Sequence, residues 1–137
     1  EVAQASPVLG KIRGILVREI LSFLGKWAGQ DPDRYQTFYR QFGRMLAAGI
    51  TMDFENRDKL VDLLRFRSSL TADDQMTSLK DYVVRMQKDQ KDIYYLSGET
   101  SAAAAGHPKL EYFKKNSIEV LLLSDPTDIF IMPAIGV

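Results

Sequence analysis

Apolar residues recur every three or four positions through the first half of the chain. Leu9, Ile12, Leu16, Ile20, Phe23, Leu24 and Trp27 form one stripe over about five helical turns. Pro7, one place after Ser6, suits the first helical position, where a missing N–H leaves no intrahelical bond unmade. Gly10, Gly14 and Gly25 each weaken a helix by about 1 kcal/mol relative to Ala. Glycines are tolerated where a neighbouring helix packs closely, so the pattern predicts a docked helix ending at Gly29. Asp31-Pro32-Asp33 repeats the cap-then-proline start. Tyr35, Phe38, Tyr39, Phe42, Met45, Leu46 and Ile50 then predict a second helix closed near Gly49, its aromatics read as core packing. Asn56 suits the cap of a shorter third helix with Leu60, Val61, Leu63 and Leu64.

Past Leu64 the period changes. Arg65-Phe66-Arg67-Ser68 alternates, as a strand or its approach does, and Leu70 to Gln75 is a polar turn. From Thr77 to Glu99 the chain reads as a capped helix, a charged turn and a short strand. Leu79, Tyr82, Val83 and Met86 fall on one helical face, with Lys80, Asp81 and Arg85 on the other. Ile93-Tyr94-Tyr95-Leu96 is β-branched and aromatic, hence a strand. Thr100 to Ala105 is Ala-rich and helical, Gly106-His107-Pro108 breaks it, and another helix holds Leu110, Tyr112 and Phe113. Ile118 to Leu123 is nearly all apolar, as a strand covered on both faces should be. Strand, helix and strand of this length imply parallel pairing through a crossover. The form of Ile129 to Ile135 is left open by its pattern. The resulting fold class is α/β: a three-helix coil over residues 1–64, then a small three-layer α/β/α domain over 65–137 with a short, mainly parallel sheet.

Composition narrows the chemistry. The chain has 137 residues, 45% apolar and 26% charged, enough for one buried core. Eighteen basic residues balance eighteen acidic ones, so the electrostatic footprint of a nucleic-acid binder is missing. The absence of cysteine excludes disulfides, thiolate nucleophiles and Cys-ligated zinc. No apolar run reaches the ~18 residues of a membrane span, so no membrane partner is expected. The opening E-V-A-Q-A-S-P, without an initiator Met, is that expected of an excised piece of a longer protein.

No catalytic constellation stands out. The one histidine, His107, lies between Gly and Pro with no partner at metal-ligand spacing, and reads as a surface-turn residue. Ser97-Gly98-Glu99 follows a strand, where phosphate loops occur, but it has one glycine and an acid that would repel an anion. Asp53 with Glu55, and Asp73 with Asp74, read as solvated turn carboxylates. Lys88, Lys91, Lys114 and Lys115 interleave with Asp89 and Asp92 as a solvated face. A metal site is not expected.

Several of these blocks together resemble the middle segment of the heat-shock protein 90 chaperone family. The family's Thr-Ser-Leu-x-x-Tyr-Val-x-Arg-Met helix leading into Ile-Tyr-Tyr matches Thr77–Met86 and Ile93–Tyr95. Leu63-Leu64-Arg65-Phe66 with Ser68-Ser69, Gln36 to Gly43, and Ile118 to Asp125 also fit, and the last two are most similar to the bacterial and mitochondrial branches. The resemblance implies a parent that is an ATP-dependent, stress-responsive chaperone and a homodimer, bacterial-cytoplasmic or mitochondrial. Its N-terminal domain would hold ATP and Mg, a C-terminal domain would dimerise, and the middle segment would couple clamp closure to client proteins. In the family a Ser-Arg-Glu-x-x-Gln run carries the arginine that reaches the γ-phosphate. Glu1-Val2-Ala3-Gln4 matches its end, which implies a loop-supporting role for Gln4 and places the arginine before Glu1. The piece itself is thus expected to hold no cofactor and no catalytic residue.

The resemblance also points to a client-binding corner at Asp125-Pro126-Thr127-Asp128-Ile129-Phe130, where Ile129 stands in place of the family's usual acid. Phe130, Ile131 and Met132 would form either a soft exposed patch for loosely structured partners or a stretch of core. Two readings outside the family are a small nucleotide-binding α/β enzyme using Ser97-Gly98-Glu99, and a helical adaptor binding a partner through its Tyr35–Ile50 face.

Overall fold

The computed structural model describes residues 6–136. Three helices come first: α1 (Pro7–Gln30), α2 (Pro32–Met52) and α3 (Arg57–Leu63). Then follow β1 (Arg67–Ser68), α4 (Leu79–Arg85), β2 (Tyr94–Ser97), α5 (Ser101–Ala105), α6 (Leu110–Lys115), β3 (Val120–Leu123) and α7 (Pro126–Ile135). The starts follow local chemistry. Asp31 caps α2 by accepting the Arg34 N–H at 3.2 Å, and Ser78 caps α4 by accepting the Asp81 N–H at 3.0 Å. Thr100 does the same for α5 through the Ala103 N–H.

The sheet order is β1-β3-β2. β2 runs parallel to β3, from Tyr94 opposite Val120 to Ser97 opposite Leu123, and β1 pairs antiparallel with β3. The fold is therefore α/β with a small mixed sheet, the central strand buried on both sides. Period-two alternation splits β3 between two cores. Leu121 and Leu123 face the main core, with Leu21, Tyr35, Ile50, Phe66, Tyr82 and Ile131. Val120 and Leu122 face a smaller one under α5 and α6, with Ala104 and Leu110.

Both long strands begin later than their apolar runs, at Tyr94 and Val120 instead of Ile93 and Ile118. Ser117 takes a left-handed φ of 55° and the Ile118 N–H bonds back to the Phe113 carbonyl, so the turn out of α6 consumes the first residues of the run. The undecided segment after Asp125 is helical. Pro133 lies inside α7 and Gly136 closes it at φ 78°, a conformation that favours glycine.

The expectation of a docked first helix holds for its second half only. α1 buries Leu21, Leu24 and Ala28, whereas Leu9, Ile12, Leu16, Ile20 and Phe23 are all exposed. A Cβ on Gly10, Gly14, Gly25 or Gly29 would meet nothing within 4 Å, so close packing does not account for these glycines. The sequence stripe and the buried face overlap only at Leu24 and Trp27.

The tie between α4 and the sheet is polar. Tyr82 is fully buried, and its hydroxyl donates to the Glu119 carbonyl at 2.6 Å. The same oxygen accepts the Tyr94 N–H and the Gln90 side chain, both at 3.0 Å. The phenol thus bridges the first rung between β2 and β3. Burial pushes its pKa up, partly offset by those two donors. Tyr82→Phe leaves a buried carbonyl and N–H without partners, and a loss of about 1–3 kcal/mol is expected in the denaturant midpoint.

Candidate functional site

The corner of most chemical interest is the seam between α2 and α7. Asp125 caps α7, accepting the Thr127 N–H at 2.8 Å and the Arg44 Nε at 2.6 Å. Burial pushes the Asp125 carboxyl up, but these donors outweigh it and hold its pKa below the ordinary carboxylate value. Asp128, one turn on, is in the opposite state. Burial, then the Asp125 charge, raise it to about 7, with Arg44 opposing. Both carboxylates line a cleft of about 370 Å³ with Tyr39, Arg40, Arg44 and Arg67.

The helical form of α7 divides the expected client trio. Ile131 and Met132 point inward and are fully buried in the main core, while Phe130 is 72% exposed. An exposed patch made of all three does not exist: residues 130 and 131 lie about 100° apart on a helix, and the burial stripe takes one side. Gln4 lies outside the described residues.

A second polar cluster sits beneath α4. Glu119, in the apolar run before β3, is 3% exposed at its side chain and pairs with Arg85 through Nη2–Oε1 at 2.8 Å and Nε–Oε2 at 2.9 Å. Arg85 also reaches the Thr77 hydroxyl at 2.7 Å. Arg85 is thus turned to the sheet, not to the solvated face that its helical position suggested. The available signal was Glu119 itself, a charge embedded in I-E-V-L-L-L, which demands a buried partner. The bond geometry is that of a structural fork, two parallel N–H bonds to one buried carboxylate.

The remaining candidates have local roles. A Cβ on Gly98 would sit 2.5 Å from the Ala104 backbone nitrogen, so that glycine lets α5 close on β2. His107 accepts the Lys109 N–H at Nδ1 in its turn. Asp53 holds the Asn56 N–H and side-chain amide, and Asp73 pairs with Arg67 at 3.0 Å. In the α2 aromatic series Tyr35 and Tyr39 are buried, Phe42 is exposed, and Arg65 stacks 4.7 Å over the Tyr35 ring. The Tyr35 hydroxyl donates to the Leu63 carbonyl at 2.6 Å, and burial raises its pKa to about 12. Among the described residues no group of three or more His, Cys, Asp or Glu is placed to hold a metal ion.

Fold and site together define an α/β segment attached to a helical coil, with its polar clusters spent on internal ties. Comparison with known proteins supplies the family. The Hsp90 protein family matches residues 1–136. The chain is 48% identical over 135 residues to a chaperone protein HtpG from Chlorobaculum tepidum, covering 98% of this chain and 22% of that protein. It is 44% identical to the HtpG chaperone of Methylococcus capsulatus, covering 93% of this chain and 20% of that protein. The solved middle domain of a Plasmodium falciparum heat shock protein superposes with a TM-score of 0.85 at 31% identity, over 93% of this chain and 52% of that one. The chain belongs to the Hsp90 family. It spans about a fifth of the length of the curated relatives it matches, and its fold is that of an Hsp90 middle domain.

Two substitutions probe these assignments. Gly98→Ala should destabilise the chain by about 1–3 kcal/mol in chemical denaturation, because the obstructing atom is backbone and cannot swing aside. Arg85→Met leaves the Glu119 carboxylate buried without its cation. A loss of about 2 kcal/mol is expected, below the usual 3–5 for a buried pair because over a third of the Arg85 side chain meets water.

Proposed function

We propose that this chain is a mechanical part of an ATP-dependent chaperone, transmitting clamp closure driven by a separate N-terminal ATPase domain to bound client proteins. ATP and Mg would be held by that domain and dimerisation supplied by a C-terminal one. The parent would be a homodimer in the bacterial cytoplasm, and the chain itself would not turn over nucleotide.

What carries this reading is the apolar surface that the chain leaves uncovered although its family and fold match over nearly its full length. Leu9, Ile12, Leu16, Ile20 and Phe23 form a continuous exposed stripe on α1, and Phe130 stands out from α7. Surfaces of this kind mark contacts with neighbouring domains or with loosely structured partners. The stripe suits docking of other domains of the same parent. Phe130 suits a client: a single exposed aromatic gives apolar contact without demanding one partner geometry.

Two measurements test this. Isothermal calorimetry of the 137-residue chain with ATP and Mg should give no binding heat, and measurable affinity would overturn the assignment of nucleotide to another domain. Phe130→Ser should weaken capture of an unfolded model client by the parent at least ~5-fold with the melting temperature unchanged. An unaltered affinity removes Phe130 from the client surface.

A further inference from the structure

The seam between α2 and α7 contains more donors than its two carboxylates use, yet one carboxylate receives none. Asp125 accepts the Arg44 Nε at 2.6 Å and the Thr127 N–H at 2.8 Å. The other guanidinium groups lining the cleft are committed elsewhere. Arg40 donates to the Asp74 carbonyl, and the Arg67 Nη2 donates to Asp73 at 3.0 Å. The Arg67 Nε is buried without a partner. Tyr39, the remaining titratable group from α2, is buried and turned toward the Arg65 backbone. Neither Ser101 nor Ser124, the hydroxyls at this end of the sheet, bonds Asp128; they pair with each other at 3.3 Å. Asp128 is therefore a largely buried carboxyl that lines one cleft with Asp125 on its own helix, Tyr39, Arg40 and Arg44 on α2, and Arg67 on β1, with the charges of Asp125 and Arg44 acting on it.

The helix that carries Asp128 is weakly held by its own ladder. Pro133 lies inside α7 and supplies no N–H to the turn before it, so one rung of the helical ladder is missing. α7 stays in place because Ile131 and Met132 are fully buried against α2 and the sheet. Whatever weakens its first turn acts directly on that packing.

We propose that Asp128 is a proton-operated latch: protonated, it lets the first turn of α7 lie against α2, and ionised, it repels Asp125 and loosens α7, giving access to Ile131 and Met132. The proposal concerns the seam alone and stands whether or not Phe130 contacts clients. The direction follows from linkage. The docked-state pKa of about 7 lies above the ordinary 3.8, so the stabilisation is complete below 3.8 and is lost as pH rises through 7. The N-terminal end of a helix favours an anion and moderates the effect. Docking of α7 should accordingly weaken about five- to tenfold between pH 6 and 8.

The test uses the 137-residue chain. Carboxyl-carbon NMR should show Asp128 titrating near neutral pH, and amide exchange protection in α7, corrected for intrinsic rates, should fall about five- to tenfold from pH 6 to 8. Asp128→Asn should abolish that fall and keep α7 protected at pH 8, while Asp125→Asn, which removes the repelling neighbour, should shift the midpoint downward. An Asp128 that titrates in the ordinary carboxylate range overturns the latch without recourse to any variant. So does an α7 whose protection is the same at pH 6 and 8 in the unsubstituted chain.

Discussion

A charge at the head of an apolar strand is the constraint around which the small sheet is built. Glu119 has to be buried because its neighbours Val120 to Leu123 form the central strand, covered on both faces. A buried carboxylate requires a cation with matched geometry, and Arg85 supplies two parallel N–H bonds from the last turn of α4. That fixes the distance and rotation of α4 against β3. Once α4 is fixed, Tyr82, one turn earlier, arrives with its hydroxyl between the Glu119 carbonyl and the Tyr94 N–H. The start of β2, its register on β3 and the position of α4 therefore depend on one group of side chains. Apolar contacts among Leu79, Leu121 and Leu123 add most of the burial energy, but they are compatible with several slides of helix over sheet. The polar fork is compatible with one.

The two layers on either side of β3 are joined to the rest in different ways. Under α5 and α6 the core is small, and it depends on the absence of a side chain at Gly98 to bring α5 down. On the opposite face the main core continues without a break from β3 through α7 into α2, α3 and the second half of α1. Movement of α7 would be felt in the helical coil, whereas movement of α5 would stay local.

The surface divides in a matching way. The first half of α1 presents an apolar stripe that none of the described residues covers, and Phe130 is exposed on α7. In the charged seam of Arg44, Asp125 and Asp128, one carboxylate is stabilised as an anion and the other as an acid by environments a single helical turn apart. The difference comes first from burial, which raises Asp128, and then from the hydrogen bonds that lower Asp125. Both groups are carboxyls at the start of one helix, and only one has donors.

The linear sequence determined the α/β class, the positions of the helices before α7, the parallel β2–β3 pair and the Hsp90 family, since these follow from local periodicity, caps such as Asp31 and Ser78, and short motifs. It also held a trace of the buried pair in Glu119, although not the identity of its partner thirty-four residues away in Arg85. Tertiary structure alone decided which face of α1 is buried, where β3 begins, that Ile131 and Met132 are core while Phe130 is not, and that Asp128 lacks a donor. Each of these depends on which groups from distant parts of the chain arrive at the same place, and a repeating pattern of apolar and polar residues records that something is covered without recording by what.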